Sequence, residues 1–140
     1  MLMSRLMLCA EAVIRDAERN AISIFNLIED IEAEALPLLI PRFVVFNMLE
    51  RDDADPETFS CLLRIALDDE KLFEQDIELS FQDKKRNRSI FTLQGLALFR
   101  PGVLRVSLSI EDQELDSFAL TVSARQPTLQ VTQDADSSKS

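Results

Sequence analysis

Leu104-Arg105-Val106-Ser107-Leu108-Ser109-Ile110 alternates apolar and polar residues without a break. Successive side chains of a β-strand point to opposite faces, so this run predicts a strand with one buried and one wetted face. The same alternation recurs over residues 73–81 and 116–122. One-sided strands of this kind predict a mostly antiparallel all-β fold.

Working outward from these strands, short turn-forming stretches divide the chain into further segments of similar length. Residues 2–14 are apolar-rich, with Leu6, Leu8, Ala10, Ala12 and Ile14 on one face. The polar run 15–20 breaks that strand, and residues 21–27 resume with the β-formers Ile22, Ile24 and Phe25. Residues 28–36 alternate Ile31, Ala33 and Ala35 with Asp30, Glu32 and Glu34, and read as a continuation of the preceding strand with an acidic outer face. Pro37 and Pro41 bracket a crossing segment, because each removes a ladder donor. Residues 42–50 are apolar on both faces, the mark of a strand central in its sheet or covered by something else. Residues 59–67, 71–81, 89–99, 103–110 and 114–123 complete the set, the last two as a hairpin around Glu111-Asp112-Gln113. Gly95, inside its strand, marks a bulge or a point of close packing. About eight strands with short connections predict an antiparallel two-sheet sandwich, Ig-like or C2-like, over residues 1–124. The polar residues 125–140 read as a disordered tail.

Composition bounds what such a domain can do. The 140 residues contain no His, Tyr or Trp, and 15 basic against 25 acidic residues give a net charge of −10. That balance disfavours nucleic acid and anionic membrane surfaces as partners, because both are bound through Lys and Arg. Without histidine there is no Ser-His-Asp or Cys-His site and no His-containing zinc site. Two cysteines cannot supply a four-thiolate metal site within one chain. Neither of the two glycines lies in a phosphate-cradling motif. A carboxylate pair remains formally available among the acids, but without the Tyr and Trp surfaces on which sugars stack. A non-enzyme with no cofactor is therefore expected. Cys61 keeps register with Leu63, Ile65 and Leu67 and reads as a core residue. The segment before Cys9 is interrupted by Arg5 and lacks the apolar stretch of a signal peptide, which makes a cytoplasmic protein with reduced thiols the default.

Several landmarks together resemble a known family: residues 8–14, Ser23-Ile24-Phe25, Leu36-Pro37, Pro41-Arg42-Phe43, Leu93-Gln94-Gly95-Leu96, Phe99-Arg100-Pro101-Gly102 and the closing hairpin. They are similar to an uncharacterised family of small bacterial proteins, a domain of unknown function with an Ig-like or C2-like β-sandwich. The resemblance spans Leu6 to Val122. Its first turn is Gly- and Lys-containing, whereas this chain has Asp16-Ala17-Glu18-Arg19-Asn20. The resemblance implies the sandwich and brings no catalytic residue with it.

Two functional readings follow. The first is a binding or assembly module acting through an unidentified protein partner or self-association. Its candidate surfaces are the doubly apolar strand containing Phe43 and Val45, and the basic loop 82–88 with Lys84, Lys85, Arg86 and Arg88. The alternative is a calcium-dependent C2-like module. Strands of alternating direction would bring the turns at Asp16/Glu18, residues 52–57, 83–88 and 111–114 to one pole, with Asp52, Asp53 and Asp55 as the densest carboxylates. The cations of the basic loop crowd that same pole and offer to neutralise the acids directly.

Overall fold

A computed structural model describes residues 1–125 and 129–133. The described residues form nine strands and no helix: β1 (Met3–Asp16), β2 (Ala21–Leu27), β3 (Ile31–Ala33), β4 (Leu38–Glu50), β5 (Thr58–Leu67), β6 (Glu70–Ser80), β7 (Arg86–Leu98), β8 (Gly102–Ile110) and β9 (Gln113–Ala124). They make a four-stranded sheet ordered β2-β1-β4-β7 and a five-stranded sheet ordered β3-β9-β8-β5-β6. The five-stranded sheet curls into a half-barrel. No helix among the described residues is long and apolar enough to cross a membrane. The disorder expected of the tail falls largely on residues 126–128 and 134–140, which lie outside the described ones.

One hydrophobic core is shared by the two sheets. Alternation places Leu104, Val106 and Leu108 of β8 in it at 0% exposure, beside Cys61, Leu63, Ile65 and Leu67 of β5 and Leu120 and Val122 of β9. The four-stranded sheet contributes Phe43, Val45 and Leu49 of β4 with Leu96 and Leu98 of β7. From β1 the core takes Cys9, with Met7 packed against it, and so the opposite face from Leu6, Leu8 and Ala10. A polar link also crosses between the sheets. The buried Asn47 donates from Nδ2 to Ser4 Oγ (3.2 Å) and to the Leu6 carbonyl (3.0 Å), and Ser4 Oγ donates to Asp116 Oδ2 of β9 at 2.5 Å. Asn47 Oδ1 is buried with no donor among the described residues.

Three expectations are corrected here. Residues 28–36 do not continue β2: the chain crosses to the other sheet, and β3 lies parallel to β9 (Ile31↔Val122, Ala33↔Ala124). The alternation held over Ile31–Ala33, with Ile31 and Ala33 buried and Glu32 exposed, and ended there, for Ala35 is exposed beyond the strand. Single-strand periodicity cannot say which sheet a strand joins, and this pair is the fold's departure from antiparallel pairing. Residues 38–41 are not a crossing segment but the start of β4. Pro41 is tolerated because β1 pairs with β4 only as far as Ala10↔Val44, so the missing N–H has no β1 carbonyl to serve. Gly95, opposite Pro41, neither bulges nor packs closely. The β4–β7 register is unchanged across it, and a Cβ there would meet nothing within 4 Å; its φ of +89° is what demands glycine.

Turn chemistry closes the hairpins. Glu111 and Asp112 both adopt positive φ (50° and 65°), the two-residue left-handed turn whose twist matches the strands of the β8–β9 hairpin, and Gln82 and Asp83 (51° and 65°) adopt it where the chain crosses from β6 to β7 in the other sheet. β7 starts at Arg86, so Arg86 and Arg88 are strand residues opposite Glu50 and Met48, not loop residues as the sequence predicts. A strand edge set by cross-strand partners is invisible in a locally polar run.

Both cysteines are free and buried, each about 1% exposed. Burial pushes the Cys61 thiol up to about 11 and the Cys9 thiol further in the same direction. The unfolded chain therefore ionises its thiols first. Stability should fall as pH rises from about 8.5 towards 11, and a Cys9→Ala, Cys61→Ala variant should lose less over that window in urea titrations. At about pH 8.5 iodoacetamide should leave the native thiols unmodified and label both in urea.

Candidate functional site

β4 is buried on both faces. Phe43 and Val45, at 0% and 1% exposure, point into the shared core and have no surface to offer a partner. Val44 and Phe46 point the other way, yet each is only 2% exposed and lies outside the main cluster. The cover comes from the β1–β2 hairpin. β1 pairs with β4 from Met3 to Ala10 and thereafter with β2 alone, down to Asp16↔Ala21. Freed from β4, the hairpin curls back over the outer face of β4 and β7. Arg88 Nη1 of β7 donates to the Asn20 carbonyl at 2.9 Å, although the two lie far apart in sequence.

This fold-back encloses a groove of about 880 Å³, with Ile22, Met48 and Ile90 among its apolar lining and Arg15, Lys84, Lys85, Arg86 and Arg88 as its cations. All four basic residues singled out in the sequence thus meet in one groove, joined by Arg15, which the sequence did not single out. Only tertiary curling makes Arg15 and Arg88 neighbours. Arg86 Nε pairs with Glu50 Oε1 at 3.1 Å, and Lys85 Nζ lies 3.8 Å from Asp53. Arg15 Nη2 and Arg88 Nη2 both donate to the neutral Asn20 Oδ1, the former at 3.3 Å.

Arg51 fixes the wall that carries Lys84 and Lys85. Its guanidinium donates to the Lys84 carbonyl (2.8 Å) and the Asp55 carbonyl (3.2 Å), and stacks 5.7 Å from the Phe81 ring centre. Its amide donates to the Lys85 carbonyl at 2.8 Å. Phe81 in turn packs edge-on against Phe59 at 5.8 Å. Nothing in the local sequence distinguishes Arg51 from its charged neighbours, because its role depends on a strand pairing between distant segments.

The acidic residues at this end are engaged with groups of the chain itself. Asp52 and Asp55 both take the N-terminal ammonium, the latter at 2.8 Å, and Asp55 Oδ2 accepts the Asp52 amide at 2.8 Å. Those bonds hold the Asp55 carboxyl below its usual range. The Asp83 carboxyl, hydrogen-bonded to Glu57, raises the latter instead. Arg19 and the amides of Glu18 and Arg19 lower Asp16 within its own turn. Among the described residues no three acidic or thiol groups converge in a way that would hold a metal ion.

Two other concavities differ in chemistry. A groove of about 670 Å³ on the polar face of β5 and β8 contains Arg64 and Arg105, each facing a carboxylate: Glu74 at 3.8 Å and Glu114 at 2.9 Å. An apolar slot of about 280 Å³ opens between the edge strands β6 and β7, walled by Phe73, Ile77, Phe91 and Leu93. The groove under the hairpin stands apart in gathering five cations, of which Arg15, Lys84 and Arg88 have no carboxylate partner among the described residues.

The fold and groove define an all-β protein of two sheets about one core, with a cationic groove on an otherwise acidic surface. Over residues 5–123 the chain matches the model of DUF6941, a family of unknown function, and it belongs to that family. No curated protein matches the chain.

Proposed function

We propose that this protein is a non-catalytic binding module, its two sheets forming an Ig-like or C2-like sandwich, that takes an acidic segment of a partner protein into the groove beneath the β1–β2 hairpin. The observation that carries the reading is the convergence of Arg15, Lys84, Lys85, Arg86 and Arg88 on one concave surface of a chain with net charge −10. Dispersed cations would solubilise; gathered ones, over Ile22, Met48 and Ile90, offer charge and apolar contact together. The absence of histidine from the sequence supports the non-catalytic part of the reading. A fluorescein-labelled hexaglutamate peptide is the simplest probe. Fluorescence polarisation should show binding that weakens as salt rises and that disappears in a Lys84→Glu, Arg88→Glu variant. No binding at low salt, or binding unchanged in that variant, would refute the assignment.

A second reading, self-association, draws on β2. This edge strand exposes Ile24 (39%), Phe25 (48%) and Leu27 (51%) beside a row of unpaired backbone groups, the combination that invites another strand. If β2 is an assembly edge, light scattering should give a mass that rises with concentration, and Phe25→Lys should return it to that of the monomer. A mass equal to one chain at every concentration would exclude this reading.

A further inference from the structure

Arginines in this chain find carboxylates readily. Arg5, Arg19, Arg51, Arg64, Arg86, Arg100, Arg105 and Arg125 each lie within ion-pair distance of an Asp or Glu. Arg15, Arg42 and Arg88 break that habit, and of the three, Arg15 and Arg88 come together in the groove. Among the described residues Arg15 and Arg88 have no carboxylate partner, and both guanidinium groups instead donate to the same neutral atom, Asn20 Oδ1. They arrive from different elements: Arg15 from β1, opposite Ile22, and Arg88 from β7, opposite Met48. Asn20 sits between them in a left-handed turn conformation (φ 54°), and its carbonyl takes a second bond from Arg88 at 2.9 Å.

Two like charges converging on one uncharged oxygen repel each other, and an amide dipole compensates only a fraction of that charge. In a protein with a surplus of acids, a neutral acceptor at the meeting point leaves a local charge of +2 directed into an open groove. Lys84 lines the same groove, exposed, and has no carboxylate within ion-pair distance among the described residues. The ligand best matched to that arrangement carries two negative charges and several acceptors at tetrahedral angles. A carboxylate, planar and singly charged, satisfies one guanidinium in a bidentate fork and leaves the second uncompensated. A phosphoryl monoester, with charge between −1.5 and −2 near neutral pH and three terminal oxygens, can accept from both.

We infer that Arg15 and Arg88 form a phosphoryl-binding fork within the groove, so that the acidic segment recognised there carries a phosphate monoester. This rests on the groove reading above and narrows it: Lys84 and Lys85 would meet the acidic residues flanking the phosphate, and the fork the phosphate itself.

The test compares two acidic peptides of identical sequence, one with phosphoserine at its centre and one with serine, alongside inorganic phosphate alone. Calorimetry should show the phosphopeptide binding about ten-fold more tightly than its serine counterpart. Arg15→Gln and Arg88→Gln should each remove most of that preference, weakening the phosphopeptide several-fold more than the serine peptide. Arg42→Gln, an exposed arginine of β4 outside the groove, should change neither. If inorganic phosphate binds and depends on both arginines, but the phosphopeptide gains nothing over serine, the fork stands and its ligand is a small phosphate-bearing molecule instead of a protein segment. Equal binding of the two peptides with no uptake of inorganic phosphate would overturn the fork and leave the acidic groove intact. Failure of both peptides, with phosphate still bound through the two arginines, would overturn the groove reading alone. Absence of all binding would overturn both.

Discussion

The burial of β4 on both faces is the constraint on which the rest of the structure depends. A central strand with Phe43, Val45 and Leu49 on one side and Val44 and Phe46 on the other needs two covers. The second sheet supplies the first. A four-stranded sheet has no further sheet to spare for the other, and the chain solves the problem by extending β1 past its partner and curling the β1–β2 hairpin over Val44 and Phe46. The cost of that solution is visible in β2. Its apolar side chains stay half exposed, because a two-stranded ribbon laid over a sheet shelters the sheet better than it shelters itself.

The same fold-back creates the groove. Laying Arg15 and Asn20 against β7 brings the first turn of the chain to Arg88, while Arg51 holds the loop of Lys84 and Lys85 on the opposite wall. Packing and recognition thus share one cause: the element that closes the outer core also assembles the cations. The polar face of the five-stranded sheet shows the contrast. There Arg64 and Arg105 are matched to Glu74 and Glu114 in the ordinary cross-strand fashion, and neither cation is left without a carboxylate.

Much of this was legible in the sequence, for reasons specific to each element. The alternation of residues 104–110 located β8 and its buried face, since period-two patterning is enforced by the pleat itself. The two-sided hydrophobicity of residues 42–50 correctly demanded cover on both faces, and the choice between a central strand and a covered one turned out to be no choice, because β4 is both. What the pattern could not carry was pairing. That β3 joins the second sheet in parallel, that Arg86 and Arg88 lie within a strand, and that Arg15 meets Arg88 all depend on contacts between segments far apart in the chain. Cys9 illustrates the same limit within β1, where Leu6, Leu8 and Ala10 mark one face as apolar but the core selects the opposite one. Both faces of that strand find partners, and composition does not rank them.

The account stands on Phe46 being a core residue under the hairpin, equal in kind to Phe43 between the sheets. The most direct measurement is the change in unfolding free energy for Phe43→Ala and Phe46→Ala in urea titrations. Both should lose about 3–5 kcal/mol, the cost of emptying a fully packed aromatic site. A loss of about 1 kcal/mol or less for Phe46→Ala, beside a full loss for Phe43→Ala, would mean that the hairpin does not cover β4, and the groove would have no fixed wall.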